Sequence, residues 1–141
     1  MAFRKPIQRA KGSKYNNKKV EYDGCIFDSK KEMQRYIVLA DAERSGLISE
    51  LQKQVRFTLI PAVTEEYVEH LKTKDKLKTR TLQFAITYTA DFTYMKDGEY
   101  IVEDVKASPK MLPKDYVLKK KMLFALKGIK IKEIYKPNET I

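Results

Sequence analysis

Residues 88–106 read YTADFTYMKDGEYIVEDVK, and this stretch predicts a β-hairpin. An Asp-Gly pair between two alternating runs of β-branched and aromatic residues is the strongest short-range signal for a hairpin. If Asp97 and Gly98 form a two-residue loop, Asp91 lies directly opposite Asp104. The hairpin therefore fixes which side chains share a face of the sheet.

Two acidic side chains face each other in this predicted hairpin. Directly opposed side chains have Cβ atoms roughly 4.5–5.5 Å apart, and like charges at that separation destabilise a sheet. Lys106 shares the face of Asp104, and the same register places it opposite Thr89. Two aspartates beside one lysine predict a divalent-cation site. An ordinary salt-bridged face is the alternative, although one lysine neutralises only one of the two carboxylates.

Glu103 does not fit this register easily, because it falls on the apolar face opposite Phe92. Either its side chain reaches the rim of the sheet, or the turn is one residue longer. In the second case Glu103 replaces Asp104 opposite Asp91. We favour Asp104, because alternation places Lys106 on the face of Asp104.

Composition limits the classes of protein to which the chain can belong. Its 141 residues, 43% hydrophobic and 34% charged, predict one soluble domain with a proper core. No apolar run approaches the roughly 20 residues of a membrane span, and we expect no signal peptide. One cysteine, Cys25, and one histidine, His70, exclude an internal disulfide and a Cys/His zinc cluster. We therefore expect a cytoplasmic protein, and the net charge of +10 predicts nucleic acid as its partner.

The N-terminal segment, residues 1–19, is predicted to be a flexible basic arm in front of a single domain at 20–141. Its basic residues, with no acid among them, are Arg4, Lys5, Arg9, Lys11, Lys14, Lys18 and Lys19. Such a segment orders on phosphates, so Arg4, Lys5, Arg9, Lys11 and Lys14 are candidate DNA contacts. A solubilising tail is an equally good interpretation of the same composition.

The domain starts with a small hairpin around Asp23-Gly24, followed by a helix that begins at a Ser29-to-Glu32 capping box. Its predicted apolar stripe is Met33, Tyr36, Ile37 and Ala40, and Gly46 follows its end. Glu32 has two possible roles, as the third residue of the cap or as a carboxylate pointing toward the metal face.

Further strands and one more helix complete the predicted domain. A half-buried strand covers residues 49–60, and an unbroken alternation from Leu82 to Tyr94 predicts one long strand. Between them, residues 64–80 are compatible with a helical turn or an irregular strand, ending in a basic loop or hairpin tip. A helix capped by Asp115 and a last strand at 129–135 predict a parallel crossover.

From residue 29 the predicted order is helix, three strands, helix, strand, and three motifs fall on these elements. They are FDSKKE at 27–32, YTADF at 88–92 and VEDVK at 102–106. This order resembles the PD-(D/E)xK (restriction-endonuclease-like) nuclease superfamily, and the motifs are similar to those of its small phage and prophage Holliday-junction-resolvase-like members. The resemblance implies an α/β fold with an αβββαβ core, a mixed central sheet flanked by helices, and an N-terminal hairpin and arm. Ala90 stands where the superfamily name has proline.

The resemblance implies a Mg²⁺- or Mn²⁺-dependent DNA endonuclease that hydrolyses branched or recombination DNA such as Holliday junctions. Asp91 and Asp104 would hold the metal, with the Val105 carbonyl completing its ligands. Lys106 would orient the attacking water, and Glu32 would bind a metal-bound water or a second metal. These two aspartates, Lys106 and Glu32 form the candidate catalytic set.

Lys119 and Lys120, on the second helix, are candidate phosphate contacts or part of a solvated face. Gln54 resembles by position a glutamine near the active sites of related nucleases, although a plain exposed strand residue is the favoured interpretation. A twofold homodimer would suit symmetric cleavage; no membrane or small-molecule cofactor is expected. The alternatives are a catalytically silent DNA-binding or recombination accessory module on the same fold, and an RNA-binding protein. The absence of stacked exposed aromatic residues argues against RNA.

Overall fold

The structure is a computed structural model that describes residues 18–141. Most of the predicted basic arm, and with it the candidate DNA contacts Arg4, Lys5, Arg9, Lys11 and Lys14, lies outside the described residues. In the part that is described, no helix is both long enough and apolar enough to cross a membrane.

The described chain has a mixed α/β fold with two helices and three sheets. The elements in chain order are β1 Val20–Tyr22, β2 Cys25–Phe27, α1 Lys30–Arg44, β3 Ser49–Ile60, β4 Val63–His70, β5 Asp75–Gln83, β6 Ile86–Lys96, β7 Glu99–Val105, α2 Lys114–Lys127 and β8 Ile131–Ile134. The α/β class is therefore confirmed.

The central sheet has four strands in the order β3-β6-β7-β8. The first three strands are antiparallel, and β8 is parallel to β7. Because a parallel partner requires a crossover, α2 connects these two strands. The predicted crossover is confirmed, although its last strand is only four residues long.

The β6–β7 hairpin has the predicted register, from Phe92 paired with Glu103 down to its turn. The turn residues Asp97 and Gly98 have φ of 50° and 78°, as a two-residue hairpin loop of type I′ requires. The paired segment ends at Phe92, so Asp91 lies just beyond the ladder and not within it.

Two apolar clusters lie on opposite faces of the sheet. This follows from β7, where Val102 belongs to one cluster while its neighbour Ile101 packs against the other. The first cluster contains Leu59, Tyr88, Ala90, Val102, Ile131 and the α2 residues Tyr116 and Leu123. The second contains Phe27, Ile48, Phe92, Tyr94 and the α1 residues Leu39 and Ala42.

Strand β6 changes faces at Asp91. Ala90 belongs to the α2 cluster and Phe92 to the α1 cluster, although strict alternation would place both on one face. Opposite this point β3 contains Gln54, a non-glycine residue with a positive φ of 51°. The sheet is therefore irregular where these two side chains meet.

The predicted long strand from Leu82 to Tyr94 is wrong in its first half. The chain leaves the strand at residues 84–85, and the Phe84 side chain is 87% exposed. The segment before the break forms a separate hairpin, β4–β5. The open question over residues 64–80 is thus resolved as strand, with a tip at residues 71–74. Alternation identifies a strand but does not show what covers it.

The predicted start of α1 is confirmed, because Ser29 Oγ accepts a hydrogen bond from the Glu32 backbone N–H at 3.2 Å. The predicted apolar stripe is confirmed in part, since Met33 and Tyr36 pack against the core. The buried residues of α1, however, are Glu32, Arg35, Leu39 and Ala42. Asp115 is not the cap of α2, because Pro113 occupies that position without a side-chain hydrogen bond.

Candidate active site

A cleft of about 380 Å³ lies on the α2 side of the sheet, where β6 and β7 diverge beyond their last pair. Polar side chains dominate its lining, which consists of Asp28, Gln54, Thr87, Tyr88, Thr89, Asp91, Asp104, Lys106, Asp115, Tyr116 and Lys119. Its size is in the range of ligand-binding clefts. The cleft brings together three of the four predicted catalytic residues.

Asp104 is buried and holds two partners. The Tyr88 hydroxyl donates to Asp104 Oδ2, and Lys106 Nζ lies 2.9 Å from Oδ1. On the neighbouring strand, Asp91 Oδ2 accepts the Val105 backbone N–H at 2.8 Å. This side-chain bond takes the place of the next ladder hydrogen bond, because the β6–β7 pairing ends at Phe92 and Glu103. Both aspartates line the same cleft.

Glu32, the fourth residue, reaches this group through Gln54. The Gln54 amide nitrogen donates to Glu32 Oε1 at 2.7 Å and lies 3.4 Å from Asp91 Oδ1. The Glu32 backbone N–H completes the predicted helix cap, whereas its carboxylate points toward Gln54. The metal role of that carboxylate stays a prediction. Gln54 is an exposed strand residue, as the favoured interpretation has it, but its amide also contacts two of the acids.

The carboxylates are crowded electrostatically. Burial, together with the nearby Asp104 and Glu32 charges, raises the pKa of Asp91 from 3.8 to about 8. Burial also raises the pKa of Glu32, with Asp28 and Asp104 adding to the effect. Fully ionised, the cluster would contain more negative charge than Lys106 neutralises, so Asp91 retains its proton up to about pH 8.

Two tyrosines form the wall of the cleft next to α2. Burial and the Asp104 charge keep the pKa of Tyr88 far above its ordinary value, so its hydroxyl remains a proton donor to that carboxylate. Lys106 Nζ lies 3.8 Å from the centre of the Tyr116 ring, a cation–π contact. The buried Tyr116 hydroxyl has no hydrogen-bond partner among the described residues. Neither tyrosine was predicted as a site residue; the sequence signal available was a tyrosine at positions where phenylalanine would fill the same space.

A family model described as "protein of unknown function (DUF1064)" matches residues 12–137. The chain belongs to the DUF1064 family. The match includes every residue of the cleft. A search of curated proteins gave no match, and neither did a search of solved structures.

On the opposite face of the sheet in this DUF1064 protein, the negative charge of Glu103 is neutralised by a buried arginine. Glu103 is completely buried and accepts hydrogen bonds from Arg35 at 2.8 and 2.6 Å and from the Tyr94 hydroxyl at 2.6 Å. The alternative register, with Glu103 in place of Asp104, is therefore wrong. Neither is Glu103 at the sheet rim, because Arg35 on α1 neutralises it in the core. No sequence pattern predicted a buried role for Arg35.

The acidic cleft of the DUF1064 chain fits a hard divalent cation in charge and in donor type, since Mg²⁺ prefers carboxylate oxygens. In the described residues, however, no three Asp, Glu, His or Cys side chains are already gathered as a set of metal ligands. Tyr88 and Lys106 are the partners of the Asp104 carboxylate. The Gln54 amide lies between the carboxylates of Glu32 and Asp91. Metal binding would therefore require these carboxylates to exchange partners.

The remaining predicted residues divide between two environments. Lys119 lines the cleft, whereas the Lys120 ammonium forms an ion pair with Glu133. Val105 contacts Asp91 through its backbone N–H, and nothing in the structure tests its carbonyl as a ligand. Of the two candidate lysines on α2, Lys119 is thus the one placed to meet a ligand in the cleft.

Proposed function

We propose that this DUF1064 protein is a metal-dependent DNA endonuclease. The observation that carries the proposal is the cluster of Glu32, Asp91 and Asp104 beside Lys106, in a chain with a net charge of +10. Crowded acids with raised pKa values are costly for stability and are typical of functional sites. A basic chain with a strongly acidic cleft suits a polyanionic substrate bound through metal ions.

The order of elements supports a restriction-endonuclease-like core. If the β4–β5 hairpin is set aside, the chain from residue 30 runs α1, β3, β6, β7, α2, β8, which is the αβββαβ order that the motifs imply. Asp91 and Asp104 then lie on the second and third core strands and Glu32 on the first helix. The order of elements and the positions of these acids therefore support the same proposal.

Asp91 and Asp104 would hold the metal, with Glu32 and the Val105 carbonyl as further ligands. A bound Mg²⁺ or Mn²⁺ would act as a Lewis acid on the scissile phosphate and lower the pKa of a bound water. The aspartates are suited to this role because their mutual repulsion falls when they share a cation. Gln54 would orient Glu32 toward the cleft.

Lys106 would assist attack on the phosphate. Its ammonium lies between Asp104 Oδ1 and the Tyr116 ring, which restrict its position. Once Asp104 binds a cation, this ammonium is free to orient the attacking water or to contact a phosphate oxygen. Lys119, on the same side of the cleft, would contact the DNA backbone.

The substrate that we propose is branched or recombination DNA such as a Holliday junction. The test is cleavage of duplex, flap and four-way-junction DNA with and without Mg²⁺, comparing wild type with Asp104→Asn and Glu99→Gln. Glu99 is an exposed acid on the same strand and serves as the control. The proposal requires Mg²⁺-dependent cleavage that Asp104→Asn abolishes while DNA binding remains. Binding without cleavage by wild type under all these conditions would instead support a catalytically silent module.

A further inference from the structure

A second cleft, which we call the α2–β8 groove, lies between α2 and the start of β8 and shares no lining residue with the acidic cleft. Its volume is about 380 Å³. Three of the residues that line it are apolar and three are lysines, namely Val117, Phe124 and Ile131, and Lys120, Lys121 and Lys130. Among the described residues, no acid lines this groove. Such a lining suits a ligand that combines an apolar surface with negative charge.

Phe124 is the aromatic residue of the groove. Its side chain is 60% exposed and belongs to neither apolar cluster of the core. In the part of the chain that the structure describes, its ring stacks on no other aromatic ring. The ring is therefore available to a planar ligand, with Val117 and Ile131 beside it.

Two of the three lysines have no carboxylate partner. Lys120 forms an ion pair with Glu133, whereas neither Lys121 nor Lys130 forms one with any described residue. The groove also lies in a basic segment, since residues 106–136 contain ten lysines and two acids. Residues 18–105, by contrast, contain 14 basic residues and 16 acids. The groove is therefore complementary to a polyanion.

The aromatic ring indicates which form of polyanion fits. A DNA duplex keeps the faces of its bases stacked on one another, so it would contact the lysines and leave Phe124 uncovered. An unpaired nucleotide offers a base that stacks on an aromatic ring and a phosphate that pairs with a lysine. An unpaired strand therefore uses both halves of the lining.

The position of the groove on α2 connects it to the acidic cleft. Tyr116 and Lys119 line the cleft, and their neighbours Val117 and Lys120 line the groove. The two sites are therefore separated by the width of one helix, about 10 Å. A strand that leaves the cleft needs to cross only α2 to enter the groove.

We propose that the α2–β8 groove binds an unpaired nucleotide of the DNA substrate, with the base on the Phe124 ring and phosphates at Lys121 and Lys130. This inference rests on the proposed nuclease function, and it narrows the substrate to DNA that has a single-stranded branch, such as a flap. A fully paired substrate has no nucleotide to place in the groove.

Binding of oligo(dT) of about 12 nucleotides to the full chain without Mg²⁺ tests the groove separately from cleavage. Phe124→Ala should raise the dissociation constant, measured by fluorescence anisotropy, about tenfold, because one base loses its stacking partner. Leu118→Ala is the matched control, since Leu118 lies on the same helix, is also 60% exposed and does not line the groove. It should bind oligo(dT) like wild type. Neither variant should change the binding of blunt duplex DNA.

The lysines of the groove are tested by the dependence of oligo(dT) binding on salt. Lys121→Gln/Lys130→Gln should reduce the slope of log K against log salt concentration by about 1.4, because each phosphate contact on a single strand contributes about 0.7. Lys127→Gln/Lys132→Gln removes two exposed lysines of the same segment that do not line the groove. Its slope should stay near the wild-type value.

Stacking itself has a spectroscopic test, because the chain contains no tryptophan. In Phe124→Trp, oligo(dT) should quench the single indole fluorescence, since a base stacks on the ring, and blunt duplex DNA should not. The fluorescence of Leu118→Trp should respond to neither.

Three results would overturn the proposal. One is wild-type binding of oligo(dT) by Phe124→Ala, and another is an equal loss of oligo(dT) and duplex binding in that variant. The third is Phe124→Trp fluorescence that responds to an acidic peptide containing an aromatic residue but not to oligo(dT), which would make the groove a docking site for protein. Because every measurement is made without Mg²⁺, absence of nuclease activity would produce none of these results.

Discussion

Glu103 and Asp104 are neighbours on β7, and they face opposite sides of one sheet. Glu103 meets Arg35 and Tyr94 in the core, so its charge is neutralised and its oxygens have hydrogen-bond partners. Asp104 faces a cleft that also contains Asp91, and the one lysine that pairs with these acids, Lys106, contacts Asp104. A matched buried charge serves the fold. A surplus of buried negative charge costs stability and indicates a role that the folded chain alone does not explain.

Loss of cleavage should be the largest effect, and it should arise on the cleft side of the sheet. We expect Asp91→Asn or Asp104→Asn to lower the Mg²⁺-dependent cleavage rate about a thousandfold, since metal stabilisation of the transition state is worth several kcal/mol. Thermal unfolding of the metal-free Asp91→Asn protein should occur at the wild-type temperature or above, because the change removes repulsion. Cleavage that survives both changes would remove these aspartates from the mechanism.

On the core side of the sheet, we expect a substitution to change the free energy of unfolding. Glu103→Leu leaves the buried Arg35 without a counter-charge and should lower the free energy of unfolding by about 3–5 kcal/mol. Arg35→Met combined with Glu103→Leu should recover most of that loss, because no unpaired charge remains. Chemical denaturation measures both. If Glu103→Leu is as stable as the exposed-site control Glu99→Gln, the buried pair does not stabilise the fold.

The two sides of the sheet should also differ in how their contribution to the free energy of unfolding depends on pH. The pKa of Asp91 is raised on folding, from 3.8 to about 8, so the native state binds its proton more tightly than the unfolded chain. Its contribution to stability is therefore fully present below about pH 4 and is lost as the pH rises toward about 8. We expect this downward slope in metal-free wild type relative to Asp91→Asn, and saturating Mg²⁺ should reduce it. If the stability of wild type and of Asp91→Asn depends on pH in the same way, the Asp91 carboxylate is not crowded by its acidic neighbours.

The smallest expected effect concerns Gln54. Both Gln54→Gly and Gln54→Ala remove the amide that joins Glu32 to Asp91, but only glycine accepts a φ of 51° without strain. The glycine variant should therefore be more stable than the alanine variant by about 1 kcal/mol. Equal stabilities would show that the backbone at this position is unstrained.

Local sequence rules recovered the hairpin register, the Ser29 cap and the parallel crossover. Each depends on residues close together in the chain, such as Asp97-Gly98, whose backbone preferences do not require a tertiary partner. The shared face of Asp104 and Lys106 followed from the same alternation. The nuclease chemistry assigned to these residues is still a prediction.

Features set by distant partners could not be predicted in this way. Alternation continues through Leu82, Phe84 and Tyr88, but only the last of these is covered by the core. Arg35 was missed because its partners, Glu103 and the Glu139 backbone carbonyl, are both far away in sequence. Gln54 is an exposed strand residue as expected, but its contacts with Glu32 and Asp91 could not be predicted, because its positive φ has no sequence signal in a non-glycine residue.

Anomalous scattering at the manganese edge, from crystals grown with Mn²⁺, would show whether Asp91 and Asp104 share a cation. We expect a peak within ligand distance of carboxylate oxygens of both Asp91 and Asp104, with Tyr88 or Lys106 displaced from Asp104. It also requires that the peak disappear in Asp91→Asn. Ordered carboxylates that retain their present partners at saturating Mn²⁺, with no peak between them, would contradict it.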